Sequence, residues 1–135
     1  MNDLFYAHSG LRFLILLAAV IAVAICLIGL VQKKPFTKVA RIACSVFVGL
    51  MHLQVVTGLI MVAMGRWQGY LIGHLVMMLL ALGLAQSMVI VNRRKPTPGY
   101  LMPLVGIGGA LLLIIGGIYA IGRSPFFSSM GQHVG

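Results

Sequence analysis

"HSGLRFLILLAAVIAVAICLIGLVQKKPFTK", residues 8–38, decides the class of this fold. An apolar run from Leu11 to Val31 is followed at once by a basic turn that contains a proline. About 20 apolar residues in a helix span the hydrocarbon core of a bilayer. No basic head precedes the run and no small-residue cleavage site follows it, so we expect a membrane span rather than a signal peptide.

The composition of the whole chain agrees with a lipid environment. Of the 135 residues, 61% are hydrophobic and 8% are charged, whereas ordinary soluble domains carry about 25% charged residues. Ten Lys or Arg residues stand against one acid, Asp3. A single acid excludes paired carboxylates for acid–base catalysis and an acidic proton relay. The two cysteines, Cys26 and Cys44, lie inside apolar runs without metal-ligand spacing, which favours a packing role.

Three further apolar runs predict three further spans. The sequence therefore predicts an all-α membrane protein, an antiparallel bundle of four transmembrane helices that forms one domain over residues 1–135. The expected spans are residues 11–31, 42–64, 70–91 and 101–121. The connections between them are short, so consecutive helices are expected to pack side by side in opposite directions.

The distribution of cations predicts the orientation. Seven of the ten cations lie in the first and third connections, namely Lys33, Lys34, Lys38, Arg41, Arg93, Arg94 and Lys95. Short loops rich in Lys and Arg remain in the cytoplasm. We therefore expect both termini to lie outside. Basic clusters between apolar runs are typical of membrane loops, and they give no reason to expect a nucleic-acid partner.

Small residues line parts of two predicted spans. In the second span, Ser45 and Gly49 have small-xxx-small spacing. In the fourth span, a roughly common face carries Gly106, Gly109, Gly116 and Gly117. Small side chains allow helix backbones to approach closely in lipid. We expect these faces to bind neighbouring helices, either within the bundle or in other membrane protein subunits.

Three of the four histidines, His8, His52 and His74, lie in or beside spans, and His133 lies in the C-terminal tail. With about 1.5 Å of rise per residue, His8 lies about 37 Å, His74 about 28 Å and His52 about 16 Å from the basic ends of their helices. Ionisable groups within spans usually mark function. His8 and His74 are therefore candidate axial ligands of a b-type haem iron, and Arg12 is a candidate partner for a haem propionate. The other interpretation places His8 at the lipid interface, with Arg12 reaching the head groups.

A second polar position in the second span contains His52 and Gln54. Two residues apart on a helix, these side chains do not share a face, so one can point to an inner cavity and the other to a neighbouring helix. A buried amide needs hydrogen-bond partners. A quinone head group, which requires a few polar groups in an apolar slot, is a candidate ligand here.

Four motifs carry a resemblance to a known family. "HSGLRFLILL", "KPFTK", "MHLQVVTGL" and "GHLVMMLLALGLAQ" follow one another between residues 8 and 86. In this order they resemble a group of small four-helix bacterial membrane proteins that are often labelled cytochrome b. The family positions that match are His8, Arg12, His52, Gln54 and His74. An acid commonly precedes the third histidine in that family, and Gly73 stands there in this chain.

The resemblance implies a protein of the bacterial inner membrane that works with electron-transfer machinery. In that membrane, the orientation expected from the cations places the N- and C-termini on the periplasmic side. One expectation is a small cytochrome that binds haem b. The other is a cofactor-free accessory subunit of a respiratory or photosynthetic membrane complex. Both describe an electron carrier or a subunit rather than a catalyst. A transporter or channel ranks last, because the spans contain no acid for ion coupling and no visible break at mid-membrane.

Overall fold

The computed structural model of this protein consists of four α-helices. It describes the backbone of residues 2–65 and 71–120 and the side chains of residues 6–65 and 72–117. The helices are α1 (Asn2–Val31), α2 (Lys38–Ala63), α3 (Leu71–Arg93) and α4 (Leu101–Ala120). The predicted all-helical class is confirmed over these residues.

Three of the helices are long and apolar enough to cross a membrane. These segments are Tyr6–Val31, Lys38–Ala63 and Ile72–Arg93. The described apolar part of α4, Leu101–Gly117, is shorter. The helix lengths and their composition together indicate a membrane protein.

The helices extend beyond the apolar runs from which the spans were predicted. α1 begins at Asn2, so His8 and Arg12 both lie within it. α2 begins at Lys38 because the hydroxyl of Thr37 caps it, accepting a 3.1 Å hydrogen bond from the Ala40 N–H. Polar residues continue these helices because backbone hydrogen bonding does not require apolar side chains. The predicted limits at Tyr70 and Ile121, and the tail with His133, lie outside the described residues.

The four helices are arranged as a ring in chain order. α1 packs beside α2 and α4, and α3 packs beside α4 and α2. The α3–α4 contact is the most extensive and the α2–α3 contact is the least. α1 and α2 run antiparallel, since His8 near the start of α1 contacts Thr57 near the end of α2. α3 and α4 also run antiparallel, since His74 near the start of α3 contacts Gly117 near the end of α4.

Small side chains form much of the core. Alanines without exposed surface occur on every helix: Ala19, Ala22, Ala40, Ala81, Ala85 and Ala110. Phe47 and Met51 of α2 and Ile107 of α4 fill the remaining space and are essentially fully buried. Close backbone approach through small residues is how helices pack in lipid, where burial of apolar surface gives no driving force between them.

The glycine face of α4 packs against α3. A Cβ added at Gly106 would lie 2.6 Å from the Met88 Cβ, and one added at Gly109 would lie 2.7 Å from the Leu84 Cδ2. Gly116 and Gly117 meet the next part of α3 in the same way, at Met77 and Met78. This face was expected to bind either a helix of the bundle or another subunit. In the structure it contacts α3 of the same bundle.

Candidate functional site

His8 is held against α2 by two neighbouring polar residues. The Gln54 Nε2 donates a 2.7 Å hydrogen bond to the backbone carbonyl of His8. The His8 Nδ1 lies 2.9 Å from the Thr57 Oγ1. Gln54 and Thr57 are three residues apart on α2 and therefore share a face, which brings both to the same side of α1. The sequence motif "QVVT" thus positions both the backbone and the ring of His8.

The hydrogen bonds of Thr57 indicate which ring nitrogen of His8 carries a proton. The Thr57 hydroxyl has one proton, and it donates that proton to the backbone carbonyl of Gln54 at 2.9 Å. With its proton used in this way, the Thr57 oxygen is an acceptor for the His8 Nδ1–H, which is the tautomer that satisfies both contacts. In the neutral ring, Nε2 is then the nitrogen that carries the lone pair.

A glycine allows the ring to approach α2. A Cβ at Gly58 would lie 3.1 Å from the His8 Cε1. That distance is below ordinary van der Waals contact, so a larger residue at this position would displace the imidazole. Gly58 follows Thr57 directly. Gly58 leaves room for the His8 ring, and Thr57 supplies its hydrogen-bond acceptor.

Three polar groups near His8 are buried. Arg12, one helical turn after His8, is 8% exposed, and its guanidinium carbon lies 4.6 Å from the centroid of the Phe13 ring. The Ser9 Oγ and the Gln54 Oε1 are buried atoms with no hydrogen-bond partner among the described residues. Buried polar atoms in native proteins almost always have partners. These two oxygens therefore provide acceptors for a donor that the described residues do not supply.

His74 is held by α4 rather than by α2. Its Nδ1 lies 3.1 Å from the backbone carbonyl oxygen of Gly117. A carbonyl oxygen can only accept, so the His74 Nδ1 carries a proton and Nε2 is the lone-pair nitrogen of the neutral ring. A Cβ at Gly117 would lie 3.7 Å from the His74 Nδ1, which is an ordinary contact, but only 2.5 Å from the Met78 Cε, so a side chain there would disturb the α3–α4 contact beside His74.

The two predicted site residues of α2, His52 and Gln54, lie on different faces of the helix, as their spacing indicates. Gln54 is half-buried and contacts His8, whereas His52 is exposed on the outer surface of α2. The structure therefore brings together His8 and Gln54, with Arg12 one turn away on the same helix, and places His74 at the α3–α4 contact. Among the described residues there is no cluster of three or more His, Cys, Asp or Glu side chains that could hold a metal ion.

Several contributions to this site were not predicted. These are Thr57 as the acceptor for His8, Gly58 as the residue that makes room for its ring, and the Gly117 carbonyl as the acceptor for His74. The i, i+3 spacing of Gln54 and Thr57 was the available signal for the first. A backbone carbonyl has no sequence signal, so the third required the tertiary structure.

The two cysteines also meet. The sulfur atoms of Cys26 on α1 and Cys44 on α2 lie 4.0 Å apart, and both residues are fully buried as free thiols. Their burial agrees with the predicted packing role. Their proximity follows from the antiparallel packing of α1 on α2.

Comparison with known proteins finds no family model, no curated protein and no solved structure that matches this chain. The resemblance to cytochrome b-labelled proteins stays an expectation based on sequence motifs.

Proposed function

We propose that this chain is a small four-span protein of the bacterial inner membrane that serves electron transfer and holds a b-type haem between His8 and His74. The observation that supports this proposal is shared by the two histidines. Each ring donates its Nδ1–H to a protein oxygen. The acceptor is the Thr57 Oγ1 for His8 and the Gly117 backbone carbonyl for His74. Histidines that bind a metal through Nε2 commonly have the other ring nitrogen fixed in this way.

Two histidines and an arginine are a donor set that would suit a haem. Two neutral imidazoles with the lone pair on Nε2 are suitable axial ligands for iron. Arg12 is buried one turn from His8, where a fork-shaped cation suits a propionate. A bound haem would supply a one-electron iron couple. The protein residues would then orient the ligands: Thr57 and the Gly117 carbonyl set the two ring planes, and Gln54 holds the backbone of His8.

The proposed orientation places both termini on the periplasmic side. The seven cations of the first and third connections support it, because such loops remain cytoplasmic. His8 and His74 would then lie toward the periplasmic side of the bilayer. A haem at that height would exchange electrons with a partner on the periplasmic face or within the membrane.

A difference spectrum, reduced minus oxidised, tests the proposal on full-length protein purified from a haem-replete host. Soret and alpha bands should appear in the parent, and His8→Ala and His74→Ala should each abolish them. His52→Ala is the matched control, because it removes an exposed imidazole from the same bundle. Absence of the bands from the parent, or their loss in the His52 variant alone, would refute the proposed ligand pair.

Thr57→Val separates a positioning role from a ligand role. Valine has the same shape as threonine but cannot accept the Nδ1–H of His8. The haem should remain bound while its midpoint potential falls or rises measurably, since hydrogen bonding to the ligand tunes the iron. An unchanged potential would show that Thr57 does not act on a bound haem through His8.

A reduced quinone is the second ligand that this region suits. The Ser9 Oγ and the Gln54 Oε1 are buried acceptors without a partner among the described residues. A quinol hydroxyl is a donor that could bind to either. Quinone analysis of the purified protein, with Gln54→Leu as the variant, tests this: retention by the parent and loss in the variant supports it, and equal retention excludes it.

The alternative function is that of a cofactor-free accessory subunit. The observation that favours it is the exposed face of α2, where Ser45, Gly49 and His52 lie along one side within a membrane span. A histidine facing lipid is unfavourable, and a partner helix would cover it. For this function, His52→Leu should lose co-purifying subunits while the parent and all histidine variants lack haem bands.

A further inference from the structure

One end of the bundle carries most of the charge of this protein. We call it the basic end, and its seven cations are Lys33, Lys34, Lys38, Arg41, Arg93, Arg94 and Lys95. All seven are exposed. They lie on two separate segments, the α1–α2 connection with the start of α2, and the end of α3 with the α3–α4 connection.

Tyr100 holds these two segments together. Its hydroxyl donates a 2.8 Å hydrogen bond to the Pro35 carbonyl in the first connection. Its ring packs on Phe36 with a centroid separation of 5.1 Å, and it covers Gly29 at the end of α1. Tyr100 itself is 5% exposed. The two basic connections therefore form one surface rather than two independent loops.

The α3–α4 connection is also held internally. The Asn92 Oδ1 accepts a 3.0 Å hydrogen bond from the Gly99 N–H, which closes this connection. Asn92 is 1% exposed, and its Nδ2 is buried without a hydrogen-bond partner among the described residues. A constrained connection presents Arg93, Arg94 and Lys95 with less loss of conformational entropy when they bind a ligand.

Nothing within the described residues neutralises this charge. The only acid of the chain, Asp3, lies outside the described side chains, so no described carboxylate pairs with the seven cations. The N-termini of α2 and α4 point to the same end and add partial positive charge. The complementary ligand is therefore an anion.

A lysine occupies a backbone position that favours glycine. Lys33 has φ of 55° and follows the end of α1. Two hydrogen bonds close this turn: the Lys33 N–H donates to the Leu30 carbonyl, and the Lys34 N–H donates to the Gly29 carbonyl. This is the left-handed helix cap in which glycine is the usual residue, because a side chain there is strained. Lys33 adopts this conformation although it is not glycine, and it places a cation at the start of the first connection.

We infer that the basic end binds an anionic phospholipid whose head group carries two phosphates. Each basic segment can contact one phosphate, and the Tyr100 contact holds the two segments as a pair. A linked diphosphate then binds with an advantage over two separate single-phosphate lipids, because the second contact is intramolecular. Exposed apolar side chains beside the cations, at Val31, Val39 and Leu101, provide a surface for the acyl chains. This site is independent of the haem proposal.

Native mass spectrometry of the full-length protein in neutral detergent can test the inference. The probes are a diphosphate lipid, a single-phosphate anionic lipid at matched total charge, a zwitterionic lipid, and inorganic pyrophosphate. We expect the diphosphate lipid to be retained on the order of tenfold more strongly than the single-phosphate lipid. Equal retention at matched charge would overturn the inference, and so would stronger binding of free pyrophosphate than of the lipid.

Three variants distinguish a site formed by both basic segments from non-specific attraction to any anionic lipid. Lys33→Gln with Lys34→Gln, and Arg93→Gln with Arg94→Gln, should each lower the preference for the diphosphate lipid, because either double substitution removes two cations from one of the two segments. Arg66→Gln, whose position in the sequence is between α2 and α3, is the control that removes a cation elsewhere. A preference that falls equally in the control would contradict a site at the basic end.

Tyr100→Phe tests the coupling between the segments. It keeps every cation and the aromatic ring but removes the hydroxyl that binds Pro35. We expect a lower preference for the diphosphate lipid with unchanged retention of the single-phosphate lipid. Thermal unfolding without lipid, measured beside it, reports any loss of folding. An unchanged preference in a variant that melts like the parent would show that the segments act separately.

Discussion

Gly29→Ala is the most sensitive probe of how the helix ends and connections fit together. A Cβ at Gly29 would lie 2.5 Å from the Cε2 and 2.7 Å from the Cε1 of Tyr100. Carbon atoms in contact are normally about 3.5–4.0 Å apart, so the ring must move by about 1 Å. The ring cannot move freely, because its hydroxyl donates to the Pro35 carbonyl and the ring itself contacts the ring of Phe36.

The expected cost follows from these contacts. Overpacking of a core position typically costs about 1–3 kcal/mol. Weakening the Tyr100–Pro35 hydrogen bond adds about 0.5–1.5 kcal/mol, and disturbing the aromatic pair adds a similar amount. Alanine returns about 0.5–1 kcal/mol through its better helix propensity. We therefore expect Gly29→Ala to lower the free energy of unfolding by roughly 1–5 kcal/mol.

Gly49→Ala is the matched control. Gly49 is also helical, and nothing lies within 4 Å of a Cβ built there, so the substitution should be neutral or slightly stabilising. Unfolding in detergent can be followed with a maleimide fluorophore, because Cys26 and Cys44 are fully buried and react only when the bundle opens. Far-UV circular dichroism supplies a second probe.

The reasoning would be refuted by equal stabilities of the two alanine variants within about 0.5 kcal/mol, the usual error of such comparisons. A double-mutant cycle with Tyr100→Phe adds a stricter requirement. Removing the hydroxyl should let the ring yield, so the double variant should be less destabilised than the sum of the single changes. Additive effects would show that Gly29 and Tyr100 do not share a contact.

Further expectations concern the glycine face, the cysteines and the orientation. Gly106→Leu should lower stability by about 3 kcal/mol or more, because the Met88 Cβ it meets cannot rotate away; Gly108→Leu, with nothing within 4 Å of a Cβ, should change little in the same thermal assay. Cys26→Ser should lower the melting temperature, since it puts a hydroxyl in a fully buried position; an unchanged melting temperature would show that the pair is not tightly packed. A C-terminal alkaline phosphatase fusion should be active, and a fluorescent GFP fusion with an inactive phosphatase would place the C-terminus in the cytoplasm.

Local signals in the sequence were sufficient for the number of helices and their connections. Long apolar runs can be satisfied in lipid only by helices, which bond every backbone group internally. The runs are separated by Lys- and Arg-rich turns with prolines, so four helices with short connections could be predicted. The helix ends were less accurate, because α1 and α2 continue through polar residues such as Asn2 and Lys38.

The pairing of faces could not be predicted in the same way. A helix in lipid is apolar all round, so periodicity does not distinguish the side that packs on a neighbour from the side that faces lipid. The glycines of α4 indicated a packing face, but only the structure identifies α3 as the helix that covers it. The sequence likewise identified His8 and His74 as candidate ligands, but it did not indicate that their rings contact Thr57 and the Gly117 carbonyl.

The composition of the chain by itself determined that this protein is a bundle of helices suited to a membrane, because charge and hydropathy decide which solvent a segment can occupy. The tertiary structure decided which residues meet. Tyr100 and Pro35 are 65 residues apart, and their contact joins the two basic connections. Contacts of this kind depend on the rotation and register of whole helices, which are set by the packing of many small side chains at once.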